Sequence, residues 1–158
     1  MKALSLSRPW DYAVLRLGKD MENRTWATRY RGRILIHRAK SWDADGLLWM
    51  WHNRVRLGVT AEDRERMMKL RFEPGGLVGE VDITDCISRP DVRCASRWYF
   101  GPYGFLLANP AYYERVIPYR GMPGLFEVPM CSGCAKPLTQ APRPSGCPGE
   151  LCDRCAQG

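Results

Sequence analysis

Lys19, Glu22 and Arg24, followed by Trp26, form the densest polar cluster in the chain. Glu22 and Arg24 lie two apart, so an extended segment presents them on one face and turns Asn23 and Thr25 to the other. A lysine, a carboxylate and an arginine converging beside a tryptophan suit a polar planar ligand. The cations bind phosphate, the carboxylate accepts from an exocyclic amine, and an indole stacks on a ring. A salt-bridge network beside a core Trp26 is the alternative that spacing alone leaves open.

A second chemical signature lies near the C-terminus. Cys131-x-x-Cys134 and Cys152-x-x-Cys155 are separated by 17 residues, a spacing that suits a structural four-cysteine zinc site. Each knuckle aims two thiolates at one point, and two knuckles complete a tetrahedron. Zinc would supply the folding energy that a segment with four prolines and almost no apolar periodicity cannot supply from a core. Cys147 is the ambiguous member, Cys86 reads as a small core residue, and Cys94 has no assigned task. A disordered tail with redox-active thiols is the other reading.

The chain has 158 residues and a net charge of +7, enough for one domain plus a small appendage. No run of about 18 apolar residues exists, so no membrane helix is expected. The N-terminus lacks the apolar middle of a signal peptide. A cytoplasmic location follows as an expectation, and there seven cysteines point to metal or chemistry before disulfides. The charge is concentrated: residues 1–40 carry ten basic and three acidic groups, equal to the whole surplus, while residues 41–70 balance. Arginine dominates the basic set, Arg31 among them, and its planar fork suits phosphates and bases. Such a surface attracts polyanions, of which nucleic acid is the commonest in that compartment. A solvated basic face is the plain alternative.

These residues need elements to hold them. Ala3 to Leu6 reads as a strand. Pro9 suits a first helical turn, and Trp10, Ala13, Val14 and Leu17 then recur at helical spacing up to Gly18. Residues 19–31 read as a loop with an extended segment. Gly32 to His37 is a buried strand, with Ile34 and Ile36 alternating against Leu35. His37 ends it as a satisfied core residue. Asp43 to His52 and Thr60 to Leu70 read as helices, the second with Thr60 and Asp63 at capping spacing. Trp49 and Trp51 read as helix packing. After a turn at Gly75-Gly76, Leu77 to Ile87 alternates as a strand. Phe105 to Leu107 and Leu125 to Val128 supply two more. The pattern predicts an α+β domain built round a curved sheet or small barrel over residues 1–129, with a zinc-binding tail over 130–158.

The stretch LGKDMENRTWATRYRGRILIHRAK resembles the ASCH domain family of the PUA-like superfamily. That family's signature places a Gly, then Lys-x-x-Glu-x-Arg, after the first helix. Lys19, Glu22 and Arg24 match in order and spacing. Gly18 directly precedes Lys19, whereas Leu17 stands where the usual G-x-K pattern puts its glycine. Four further stretches agree in order: LSLSRPW (Ser5, Ser7, Pro9, Trp10), GLVGEVDI, WYFGPYGFLL and the closing GLFEV. The resemblance covers roughly residues 1–129. It implies a small β-barrel with flanking helices and an association with RNA binding, RNA modification or modified-base recognition.

The charged motif then implies a basic cleft for RNA or DNA, single-stranded or carrying a modified base. Lys19 and Arg24 would contact phosphate or base edges, and Glu22 would orient Lys19 or accept from a base. Trp98, Phe100 and Tyr103 resemble a loop that flanks the cleft, where an aromatic ring stacks on an extruded base. A plain core role for Trp98 is the alternative. Two classes stay open: a reader without catalysis, and a hydrolase acting on RNA or a modified nucleoside with Lys19 and Glu22 as its catalytic pair. Amidohydrolase members carry threonine where this chain has Glu22, which counts against deacetylation by a hydroxyl nucleophile. A protein-interaction adaptor using the tail is a third class.

Overall fold

The computed structural model describes residues 1–88, 96–131 and 137. Among these residues six strands form one sheet: β1 (Lys2–Arg8), β2 (Met21–Arg24), β3 (Gly32–Trp42), β4 (Gly76–Ser88), β5 (Tyr103–Ile117) and β6 (Leu125–Glu127). Their order is β2-β5-β4-β3-β1-β6. The β1–β3 pair is parallel and the other four pairs are antiparallel. Among the described residues four helices accompany the sheet: α1 (Trp10–Arg16), α2 (Ala44–His52), α3 (Arg54–Leu57) and α4 (Ala61–Leu70). None is long and apolar enough to cross a membrane.

The sheet curls, because β2 and β1 stand three strands apart and yet touch. Arg24 on β2 donates from Nη2 to the Ser5 carbonyl on β1 at 2.8 Å. The expected α+β class with a barrel-like sheet is therefore found. Strand alternation places the residues that fill it. Leu4, Leu6, Ile34 and Ile36 join Val81, Ile83 and Phe105 in one buried cluster, into which α1 inserts Val14 and Leu15. Their neighbours Ala3 and Leu35 point the other way, into a second cluster with Leu77, Phe126 and Val128. Period-2 patterning sorts side chains in this way whenever both faces are covered.

The helices form a separate layer. Ala13 of α1 packs with Met21, Met50, Leu57 and Met67. Thr60 and Asp63 form the expected capping box at the start of α4, the Thr60 hydroxyl accepting from the Asp63 amide at 3.1 Å. Two elements differ from expectation. The turn α3 carries too few residues to show a period. Strand β5 runs beyond the expected Phe105 to Leu107 and continues through Pro110. The register with β4 slips there: Glu80 faces Ala111 and Asp82 faces Ala108, with Asn109 at φ 52°. The extra residue is a bulge, so Pro110 needs no ladder hydrogen bond.

A buried ion pair sits inside this framework. Arg38 is fully buried, and its Nε and Nη1 donate to Asp11 at 2.6 Å and Glu73 at 2.7 Å. It ties β3 to α1 and to the chain following α4.

Candidate functional site

The site is built where α1 hands over to β2. Gly18 turns the chain at φ +66°, a conformation that favours glycine. The Lys19 amide donates to the Ala13 carbonyl at 3.0 Å, which closes the helix end. The β2–β5 ladder then sets Glu22 opposite Phe105 and Arg24 opposite Tyr103. Glu22 and Arg24 face the same way, as their spacing predicts.

The three charged residues form one chain of contacts. Lys19 Nζ donates to Glu22 Oε2 at 2.6 Å and also to the Met21 carbonyl. Glu22 Oε1 lies 3.2 Å from Arg24 Nη2. The Lys19 side chain is 1% exposed, against 10% for Glu22 and 22% for Arg24. Polar contact with solvent therefore increases from Lys19 outward. Burial pulls the Lys19 ammonium below the ordinary lysine range, with the attraction of Glu22 opposing it. Arg24 Nε is buried without a hydrogen-bond partner.

These residues line a cleft of about 240 Å³ with Trp10, Asp43, Ser5, Ser7 and Phe100. That volume lies below the roughly 300–1,000 Å³ of pockets for drug-sized ligands, so it suits one ring-sized group. The Trp10 ring lies 5.5 Å from Lys19 Nζ, and its indole N–H donates to Asp43 Oδ2 at 2.7 Å. Asn23, which alternation places on the other face, also lines the cleft and fixes its rim. Its Oδ1 accepts from the amides of Phe100 and Gly101 at 2.9 and 3.0 Å, and its Nδ2 donates to the Trp98 carbonyl at 2.7 Å. Phe100 is thereby held at the mouth, 57% exposed, with its ring 5.9 Å from Trp10.

Several expectations need correction. The cleft is not basic: Lys19 and Arg24 are matched by Glu22 and Asp43 among its lining side chains. Trp98 is not a cleft aromatic. It is 3% exposed and packs in the helical layer, 6.1 Å from Trp49, so its faces are unavailable for stacking. Phe100, two residues on, takes that place. Tyr103 and Arg31 do not line the cleft either. Arg31 pairs with Asp85 at 2.6 Å and donates to the carbonyls of Thr28 and Tyr30. Other members of the N-terminal basic set are also committed. Arg8 and Arg38 are buried, Lys2 pairs with Glu127, and Arg33 pairs with Glu80 and Asp82.

His37 is a satisfied core histidine, as expected. It is 5% exposed, with its ring nitrogens on Ser5 Oγ and the Tyr119 carbonyl. Burial lowers its basicity.

Among the described residues no group of three or more His, Cys, Asp or Glu could hold a metal ion. Of the four expected zinc ligands, Cys131 is described and is 2% exposed. Cys134, Cys152 and Cys155 lie outside the described residues, as do Cys94 and Cys147.

Comparison with known proteins agrees with the motif. The ASCH domain matches residues 4–117. The chain is 27% identical over 132 residues to human activating signal cointegrator 1, covering 79% of this chain and 22% of that protein. It thus spans about a fifth of this relative's length.

Proposed function

The chain belongs to the ASCH domain family, a PUA-like group associated with RNA binding, and we propose that it is a nucleic-acid reader whose cleft takes a single base. The base belongs to RNA or DNA and is presented single-stranded or carries a modification. The observation that carries this reading is the Lys19–Glu22–Arg24 chain at the floor of a ring-sized cleft, with Phe100 at its rim. In this role Glu22 accepts from a base amine, the exposed part of the Arg24 guanidinium donates to a base oxygen, and Phe100 stacks on the ring.

Titration of labelled single-stranded RNA and DNA tests it. Arg24→Ala is expected to weaken binding by roughly ten- to a hundred-fold, since a good pair of base contacts is worth about 1–3 kcal/mol. Binding of wild type to neither polymer at low salt overturns the reading.

A second reading rests on the burial of Lys19 and its 2.6 Å contact with Glu22. A buried lysine of lowered basicity against a carboxylate is an arrangement found at catalytic sites. Glu22 then serves as general base for hydrolysis of RNA or a modified nucleoside, assisted by Lys19. Turnover by wild type and not by Glu22→Ala supports it, and equal inactivity of both removes it.

The tail is proposed to bind one structural zinc ion through Cys131, Cys134, Cys152 and Cys155. The support is the paired spacing and the burial of Cys131. Elemental analysis is expected to find one zinc per chain, and much less defeats the site.

A further inference from the structure

A formally neutral cleft poses a problem for a nucleic-acid reader. Most affinity for such polymers comes from cations on phosphates, and Lys19 and Arg24 are already matched by carboxylates. The phosphate contacts must lie elsewhere, and the rim of the cleft leads to them. The Phe100 ring lies 5.2 Å from Trp49. The guanidinium of Arg56 lies over the other tryptophan contact, 5.9 Å from the Trp49 ring centre. Arg97 donates to the Arg56 carbonyl and so stands beside it. Arg54 lies two residues before Arg56 on α3 and so points to another side of the helix, where its guanidinium sits 4.7 Å from the centre of the Trp51 ring. Arg64 reaches the same ring from α4, at 4.9 Å.

These four arginines are exposed. None forms an ion pair with a described carboxylate. Two of the nearby acids are committed, Asp63 to Thr60 and Tyr12 and Glu65 to Lys69. The two tryptophans hold the guanidinium groups of Arg54, Arg56 and Arg64 by cation–π contact; one N–H of Arg54 donates to the Trp51 carbonyl at 3.1 Å, and the other N–H groups of these three suit oxygen acceptors. The arrangement is two pairs of arginines, Arg56 and Arg97 at Trp49 and Arg54 and Arg64 at Trp51, the first pair beside the ring that contacts Phe100.

We propose that Arg56 and Arg97, continued by Arg54 and Arg64, form the phosphate track for the strand that leaves the cleft. The track binds the sugar-phosphate backbone of single-stranded nucleic acid without reading sequence. This inference rests on the reading of the cleft as a base site. It adds a surface built by α3, α4 and the segment before Trp98, outside the charged motif.

The test uses the full chain, wild type against Arg54→Ala/Arg56→Ala/Arg64→Ala. A control variant, Arg29→Ala/Arg71→Ala/Arg115→Ala, removes equal charge from other exposed positions. Each is titrated with a labelled single-stranded 12-mer and with a mononucleotide, from 50 to 200 mM salt. The track variant is expected to bind the 12-mer roughly tenfold more weakly at 50 mM. Its log–log salt slope should be shallower by about 2, as the loss of three phosphate contacts on a single strand requires. Mononucleotide binding stays unchanged, which also shows that the variant is folded. Wild-type behaviour of the track variant on the 12-mer overturns the track and leaves the cleft reading standing. Equal weakening by the control also overturns it, since net charge then explains the effect. A 12-mer that depends on the track and not on Arg24 supports the track and removes the cleft reading. Failure of wild type to bind either probe overturns both.

Discussion

Asp11→Ala is expected to destabilise the domain by about 3–5 kcal/mol, the usual cost of breaking a buried ion pair from one side. Arg38 Nε donates to Asp11 Oδ2 at 2.6 Å, and both side chains are 0% exposed. Arginine cannot shed its proton in a protein, so removing Asp11 strands a charge in the interior. Glu73 remains at 2.7 Å, but its own side chain is 26% exposed and solvent screens it. At about 2–4 °C per kcal/mol for a chain of this size, the melting midpoint should fall by roughly 10 °C. Thermal melts followed by circular dichroism check this. A fall of under about 2 °C would show that Glu73 alone satisfies the guanidinium. The double variant Asp11→Leu/Arg38→Met removes both charges and should recover most of the loss.

Glu22→Ala is the second large effect, and its signature is pH. Lys19 is buried and its basicity is already lowered by desolvation. Glu22 supplies the opposing attraction, through contact at 2.6 Å. Without it, the folded-state pKa of Lys19 falls further from its unfolded value near 10.4. Between those two values the unfolded chain holds more protons than the folded one. Stability therefore rises with pH across that window and is lost as pH falls. Urea melts at pH 7 and pH 9 should show the variant gaining more on alkalinisation than wild type does. Glu22→Gln keeps a hydrogen-bond acceptor for Nζ and should fall between the two. Identical pH slopes for wild type and Glu22→Ala would show that Lys19 does not depend on Glu22 for its charge. Either substitution also removes the proposed acceptor for a base amine.

The elements were largely legible because their signals are local. Alternation in GRILIH sorts Ile34 and Ile36 from Leu35 whatever packs on them. Thr60 and Asp63 cap α4 through contacts three residues apart. What was misread depends on contacts distant in sequence. Strand β5 runs through Pro110 because β4 accommodates a bulge there. Trp98 and Phe100 are alike in type, and Asn23, more than seventy residues earlier, decides through its amide which ring reaches the cleft.

The charge followed the same division. The surplus is a property of composition, and its location in residues 1–40 is plain from counting. Counting does not show that Arg8 and Arg38 are buried, or that Arg31 and Arg33 meet carboxylates on β4. Residues 41–70 balance on paper, yet Arg54, Arg56 and Arg64 emerge unpaired with any described carboxylate. Asp63 and Glu65, beside Arg64 in sequence, turn to other partners.

By itself the sequence determined that Lys19, Glu22 and Arg24 belong together, since residues two and three apart on a turn and a strand share a face in any fold that keeps them. Only the tertiary structure decided how deep each lies, which ring stands over them, and where free positive charge remains. Coulombic and packing energies depend on distance in space. The sheet's curl brings β1, β2 and the 96–101 segment within hydrogen-bond reach across gaps in sequence that no local pattern records.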